Sequence, residues 1–174
     1  MESYHIHEGK LDDAVMVSAN IPEFDDPYEI PEYSKRLNST THHILTAYDN
    51  HNPIAFKIGY QRHSDGSFYS WMGGVLPNYR RKGIANNLAD HQETWAKKNG
   101  YISIKMQTRE KHKAMLALAI NRGFQITNKS HRSFYKAIIE FYQSQQEKIQ
   151  NMQKFHVGTD QPMINFLLRE YNID

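Results

Sequence analysis

The segment from Ser67 to Asn99 joins a strand to an amphipathic helix through a short basic loop that contains one glycine. Residues 67–76 are typical of a strand, whereas apolar residues recur at helical spacing from Gly83 to Asn99. One face of that helix is expected to carry Ile84, Leu88, His91 and Trp95. A strand followed closely by a helix limits the chain to folds in which the two pack against each other.

The loop between this strand and this helix carries three consecutive basic residues, Arg80, Arg81 and Lys82, followed by Gly83. The first amide groups of a helix have no partner inside the helix and lie at the positive end of its dipole. Such a helix start binds phosphate, and the basic side chains add positive charge around it. The sequence therefore predicts an anion site at this loop.

The other predicted elements complete the order βααβββαβαββ. Short turns favour antiparallel hairpins early in the chain and later crossovers favour a mixed sheet flanked by helices, an α/β fold. Besides the strand at 67–76 and the helix at 83–99, the predicted strands are 4–8, 43–48, 54–60, 101–106, 124–127 and 132–137, and the predicted helices are 11–19, 30–37 and 111–121. We predict one domain over residues 1–139 and a glutamine-rich, helical C-terminal extension over residues 140–174.

The spacing around the loop separates the known nucleotide motifs. The P-loop pattern and the Gly-x-Gly-x-x-Gly dinucleotide pattern are both missing from the sequence. The pattern Arg80-x-x-Gly83-x-Ala85, placed between a strand and an amphipathic helix, resembles the cofactor signature of the GNAT superfamily of N-acetyltransferases. The element order over residues 1–139 is similar to that superfamily. Ile21-Pro22-Glu23-Phe24 and Phe68-Tyr69-Ser70-Trp71 are similar to runs in a bacterial subgroup of acetyltransferases.

The resemblance implies acetyl-CoA, or another acyl-CoA, as the cofactor. Glycine inside a strand marks a bulge or a close approach, and the resemblance assigns the pair at 73–74 to the pantetheine arm. Together with the loop, the implied cofactor-binding residues are Gly73, Gly74, Val75, Leu76, Arg80, Arg81, Lys82, Gly83, Ile84, Ala85 and Asn86.

Three side chains are candidates for the proton transfers of acyl transfer to an amine. Glu23 lies in the acidic loop between the first two helices, which the resemblance places beside the acceptor site. Tyr69 lies on the strand before the basic loop, and His112 lies at the start of a later helix. The resemblance places the usual general-acid tyrosine at Ala119, whose methyl group cannot donate a proton.

Composition limits the remaining classes of function. The chain has 174 residues, no cysteine and a net charge of +2, which excludes disulfides and thiolate metal sites and argues against a nucleic-acid partner. The histidine spacing supplies no metal site. No apolar run reaches the ~18 residues of a membrane span. Without a signal-like N-terminus, a cytoplasmic location is expected.

The sequence leaves three functions open. The first is an N-acetyltransferase that modifies a primary amine of a small molecule or a peptide N-terminus. The second is a non-catalytic acyl-CoA-binding or regulatory module of the same fold, which the alanine at position 119 would allow. The third is an interaction protein in which residues 140–174 drive homodimer formation.

Overall fold

The computed structural model describes residues 4–130 and 134–140. The chain divides into two compact units, one ending at Tyr101 and one beginning at Ile102. The observed element order is βααβββαβαββ, so the predicted order and the α/β class are confirmed. The predicted boundary between residues 139 and 140 stays a prediction, since all of the predicted extension after Glu140 lies outside the described part.

Residues 4–101 of the first unit form four strands, three α-helices and a short 3-10 helix. They are β1 (Tyr4–Glu8), α1 (Leu11–Ala19), α2 (Ile30–Leu37), β2 (His42–Asp49), β3 (Asn52–Tyr60), β4 (Ser67–Val75), the 3-10 helix Pro77–Tyr79 and α3 (Ile84–Lys98). The strands pair antiparallel in chain order, each with the next. The short connections that predicted hairpins join β2 to β3 and β3 to β4, whereas α1 and α2 lie between β1 and β2.

The sheet of the first unit is covered on both faces, because alternate residues of a strand point to opposite sides. Phe56, Ile58 and Tyr60 of β3 join residues of α1 and α2 in one apolar cluster. Ala55 joins Ile84 of α3 in the other cluster. The start of α3 is thus fixed by apolar packing against the sheet.

The second unit, as far as it is described, contains β5 (Ser103–Arg109), α4 (Lys113–Asn121), β6 (Gln125–Ser130) and β7 (Phe134–Glu140). Strand β7 pairs antiparallel with both β5 and β6. Leu116, Ala117 and Ala119 form the buried face of α4. Over the described ranges, none of the helices is both long and apolar enough to cross a membrane.

The strand predicted to start at Tyr101 starts two residues later, at Ser103. Gly100 adopts a left-handed conformation with φ +81°, and the Tyr101 N–H donates to Ala96 O at 3.1 Å. This bond ends α3 and holds Tyr101 against Phe68. Ile102 is 64% exposed, so its apolar character did not indicate a core position.

The predicted apolar face of α3 was wrong at one position. His91 is exposed, and the neighbouring Gln92 is fully buried. Leu88, Ala89 and Ala96 are buried with it. The buried stripe therefore includes a polar residue whose position on the helix, rather than its hydrophobicity, decides its burial.

Candidate functional site

The basic loop after β4 is held by backbone hydrogen bonds at its entry. The Leu76 N–H donates to Ile54 O of β3 at 3.0 Å, and the Tyr79 N–H donates to Leu76 O at 2.9 Å. The Tyr79 hydroxyl donates to Asp49 Oδ2 at 2.8 Å. These bonds fix the loop to the β2–β3 hairpin before it reaches the basic residues.

Two left-handed residues turn the chain from the loop into α3. Arg81 has φ +62° and Gly83 has φ +78°. Left-handed backbone is unfavourable for most residues and costs glycine little. A Cβ on Gly83 would meet no atom within 4 Å. Its conformation therefore favours glycine at position 83, and the space in front of it is open.

The start of α3 presents amide groups to that open space. The first bond of the helix runs from the Asn87 N–H to Gly83 O at 3.0 Å. The N–H groups of Ile84 and Ala85 precede this bond, at the helix start where amides have no acceptor within the helix. Since α3 has fifteen residues, its positive dipole end is well developed at these amides. This arrangement can hold a phosphate group.

Two basic side chains of the loop are exposed beside the helix start. Arg81 and Lys82 both lie at the surface. Lys82 Nζ is 5.3 Å from the centre of the Tyr79 ring, and this cation–π contact orients the lysine. The loop therefore places positive charge next to the amides of α3.

Arg80 is bound differently from its two basic neighbours. Its Nη1 and Nη2 donate to the two carboxylate oxygens of Glu23 at 2.7 and 2.8 Å, and its Nε donates to Val75 O at 3.1 Å. The side chains of Arg80 and Glu23 are 37% and 49% exposed. The hydrogen bonds to Glu23 raise the pKa of Arg80 above its ordinary value. Two predicted site residues, one proposed for phosphate and one for proton transfer, are thus paired with each other.

The glycine pair of β4 lies at close approaches. Gly74 pairs with Phe56, and a Cβ on it would overlap Ile21 Cδ1. A Cβ on Gly73 would lie 3.2 Å from Phe56 O. The irregularity in the β3–β4 pairing falls instead at Trp71, between the pairs Ile58–Met72 and Gly59–Ser70. The expected close approach is therefore found at both glycines, whereas the bulge lies at Trp71.

Tyr69 is part of the core of the first unit. It is buried, and its ring contacts Tyr60 edge-on with centroids 5.7 Å apart. The Arg62 guanidinium lies 4.7 Å from the centre of its ring. Burial raises the pKa of the Tyr69 hydroxyl, so this group keeps its proton at neutral pH.

His112 belongs to the second unit, where it is the residue before α4. Its carbonyl accepts from the N–H groups of Met115 and Leu116, both at 3.1 Å. Its φ and ψ of −85° and 61° place it outside helical geometry, so the predicted helix start at Lys111 moves to Lys113. Ala119 is buried in the same helix, and its carbonyl accepts from the Phe124 N–H at 2.9 Å.

The histidines of the first unit include one buried ring. His43 stacks on Trp95 with ring centroids 4.4 Å apart and an angle of 7° between the planes. Burial lowers the pKa of His43 to about 4, and the nearby His91 and His42 add to the shift. Among the residues that the structure describes, no three histidine, aspartate or glutamate side chains are grouped so that they could hold a metal ion.

Residues 14–124 match the sequence model of the acetyltransferase (GNAT) family. The match covers more than half of the chain and includes the basic loop, the start of α3 and the three proton-transfer candidates. A search of curated proteins gave no match.

Solved acetyltransferase structures share the fold at low sequence identity. PaiA N-acetyltransferase from Thermoplasma acidophilum, in complex with coenzyme A, is 14% identical with a TM-score of 0.65, over 80% of this chain and 99% of that one. The ribosomal-protein-S18-alanine N-acetyltransferase from Escherichia coli is 14% identical with a TM-score of 0.67, over 82% and 96%. Arabidopsis thaliana Naa50, in complex with the bisubstrate analogue CoA-Ac-MVNAL, is 19% identical with a TM-score of 0.65, over 80% and 99%.

Proposed function

The chain belongs to the acetyltransferase (GNAT) family, and we propose that it transfers an acetyl group from acetyl-CoA to a primary amine of a small molecule or a peptide. The observation that carries the proposal is the left-handed turn at Arg81 and Gly83, which opens α3 toward unfilled space. The solved relative with bound coenzyme A supports the same cofactor for this fold.

The residues of the loop fit the pyrophosphate of such a cofactor. The amides of Ile84 and Ala85 would donate to phosphate oxygens, and Arg81 and Lys82 would balance the negative charge. The absence of a side chain at Gly83 leaves room for the phosphates to reach these amides. We further propose that Gly73, Gly74, Val75 and Leu76, which lead directly into the loop, contact the pantetheine arm.

When bound, acetyl-CoA supplies an acetyl group already activated as a thioester. The protein then has to align a neutral amine with it, exclude water and accept the proton that the amine loses. Tyr69 retains its proton, so we propose it as a hydrogen-bond donor and not as a base. His112 belongs to the second unit, and its part in proton transfer stays a prediction from the sequence.

A primary amine as the acceptor has support from the related structures. The Escherichia coli relative acts on an alanine of ribosomal protein S18, and the Naa50 ligand joins coenzyme A to a peptide sequence. Acidic residues of the α1–α2 loop other than Glu23, Asp26 among them, would favour a cationic acceptor. We therefore propose peptide N-termini and small cationic amines as the first acceptors to test.

A second candidate is a binding module that holds acyl-CoA without turning it over. It is favoured by Ala119, because the family resemblance expects the general-acid tyrosine at this position, and the buried methyl group there cannot donate a proton. Such a module would bind acyl-CoA through the loop and the start of α3 but would not transfer the acyl group.

The test is release of coenzyme A from acetyl-CoA in the presence of a panel of peptides and small amines, with the acetylated product identified by mass spectrometry. The transferase proposal predicts product with at least one amine and none with Gly83→Trp. Tight binding of acetyl-CoA without product from any amine would favour the binding module. If acetyl-CoA does not bind at all, both candidates are wrong.

A further inference from the structure

We propose that Arg80 and Glu23 form a strap that positions the α1–α2 loop, residues 20–29, and that Arg80 is not a phosphate ligand. The proposal rests on the proposed function, because it concerns how the acceptor side of that site is held. It gives Glu23 a positioning role in place of the catalytic one considered from the sequence, and it moves Arg80 out of the predicted set of phosphate contacts.

The Arg80 guanidinium is bound by neighbouring groups of the protein. Its three nitrogen atoms each donate to a protein oxygen, two to Glu23 and one to Val75. The Glu23 carboxylate balances the charge of Arg80. Arginine binds phosphate with the same bidentate geometry. The positive charge left for a pyrophosphate then comes from Arg81, Lys82 and the amides of α3.

The α1–α2 loop is packed against the sheet on both sides of Glu23. Ile21 is buried and fills the space over Gly74 of β4. Phe24 meets Phe56 of β3 edge-on, with ring centroids 6.5 Å apart. The Phe24 N–H donates to Ile21 O at 3.1 Å, which makes a tight turn around Glu23. This turn therefore places the Glu23 carboxylate within hydrogen-bonding distance of Arg80.

The Glu23–Arg80 pair joins segments that are distant in sequence. Glu23 and Arg80 are separated by 57 residues in sequence, and Val75 is the last residue of β4. One guanidinium thus ties together the α1–α2 loop, the end of β4 and the start of the basic loop. Because both partners are partly exposed, the pair adds little to global stability, and its main effect is on the local position of the loop.

The test combines local amide exchange with ligand affinity in the full chain. Glu23→Gln and Arg80→Gln are each expected to speed hydrogen–deuterium exchange of peptides covering residues 20–28 by about threefold to fivefold. The double variant should exchange no faster than the single variants, because both remove the same bond. Coenzyme A, used as the probe, should bind all three variants with a Kd within about threefold of the unmodified chain.

Glu29→Gln, which changes an exposed carboxyl further along the same loop, is the matched control and should alter neither exchange nor affinity. A Kd raised more than about tenfold by Arg80→Gln would identify Arg80 as a phosphate ligand. Unchanged exchange in both single variants, or additive effects in the double variant, would also overturn the strap. If the unmodified chain fails to bind coenzyme A, the proposed function fails, while the exchange experiment still decides whether the strap exists.

Discussion

Ile21 occupies the space that a side chain on Gly74 would need, because a Cβ at position 74 would overlap Ile21 Cδ1. The contact joins the loop after α1 to the second half of β4. It gives the glycine a packing role that is independent of any ligand. The α1–α2 loop therefore packs closely against the strand that leads to the basic loop.

Gly74→Ala is expected to lower the free energy of unfolding by about 1–3 kcal/mol, since the new methyl group overpacks against Ile21. Ile21→Val removes the overlapping Cδ1 and should recover part of that loss when the two changes are combined. Urea unfolding of the single and double variants measures this coupling. Gly73→Ala is the control, because its Cβ would meet Phe56 O and not Ile21, so Ile21→Val should not rescue it. Strictly additive effects at positions 21 and 74 would contradict the account.

Some of this arrangement could be predicted from the sequence. The bounds of α1 and α2 were predicted correctly, because a glycine precedes the first helix and a proline-containing acidic loop separates the two. The loop before α3 was recognised from its glycine and its basic residues. Local signals of this kind depend on neighbours in the chain, and the sequence displays those directly.

Other features depend on contacts between distant residues. The Glu23–Arg80 pair joins two segments of the first unit that are 57 residues apart, and each residue alone indicated a different role. Gln92 is buried where His91 had been expected, because the packing of α3 decides which side of the helix faces the sheet. Neither the ion pair nor the exact face of α3 has a signature in the local sequence.

The exposed basic residues of the loop should contribute to cofactor affinity through charge. Arg81→Gln and Lys82→Gln are each expected to raise the Kd for coenzyme A by about fivefold, the equivalent of ~1 kcal/mol, and to weaken its dependence on salt. Isothermal titration at two salt concentrations measures both effects. Lys97→Gln, an exposed lysine at the opposite end of α3, should leave the Kd unchanged. Equal losses from Lys97→Gln and Lys82→Gln would show that only bulk charge matters.

The buried His43 should make the protein less stable in weak acid. The unfolded chain takes up a proton near pH 6.5, whereas burial holds the pKa of the folded His43 at about 4. Glu8 Oε1, 4.0 Å from His43 Nε2, would favour protonation, but this carboxylate is mostly exposed and burial dominates. The free energy of unfolding should therefore fall as the pH drops from about 6.5 toward 4, by about 3 kcal/mol in total.

Urea unfolding at a series of pH values from 7.5 to 4.5 measures this fall in the free energy of unfolding. His43→Phe keeps an aromatic ring against Trp95 and should flatten the acid side of the profile. His51→Asn, at an exposed turn, is the control and should keep the slope of the unmodified chain. An unchanged slope in His43→Phe would mean that other groups cause the acid sensitivity.

The most direct test of the central claim is thermal unfolding with and without saturating acetyl-CoA. A ligand at a hundredfold excess over its Kd adds about 2.7 kcal/mol, which should raise the Tm by roughly 5–10 °C. Gly83→Trp should lose most of this rise, because its side chain fills the space in front of the α3 amides. Gly100→Trp carries the same strain, at φ +81° with nothing within 4 Å, at the other end of the helix, and should keep the rise. No rise in the unmodified chain at millimolar acetyl-CoA, or an equal rise in Gly83→Trp, would contradict a cofactor site at this loop.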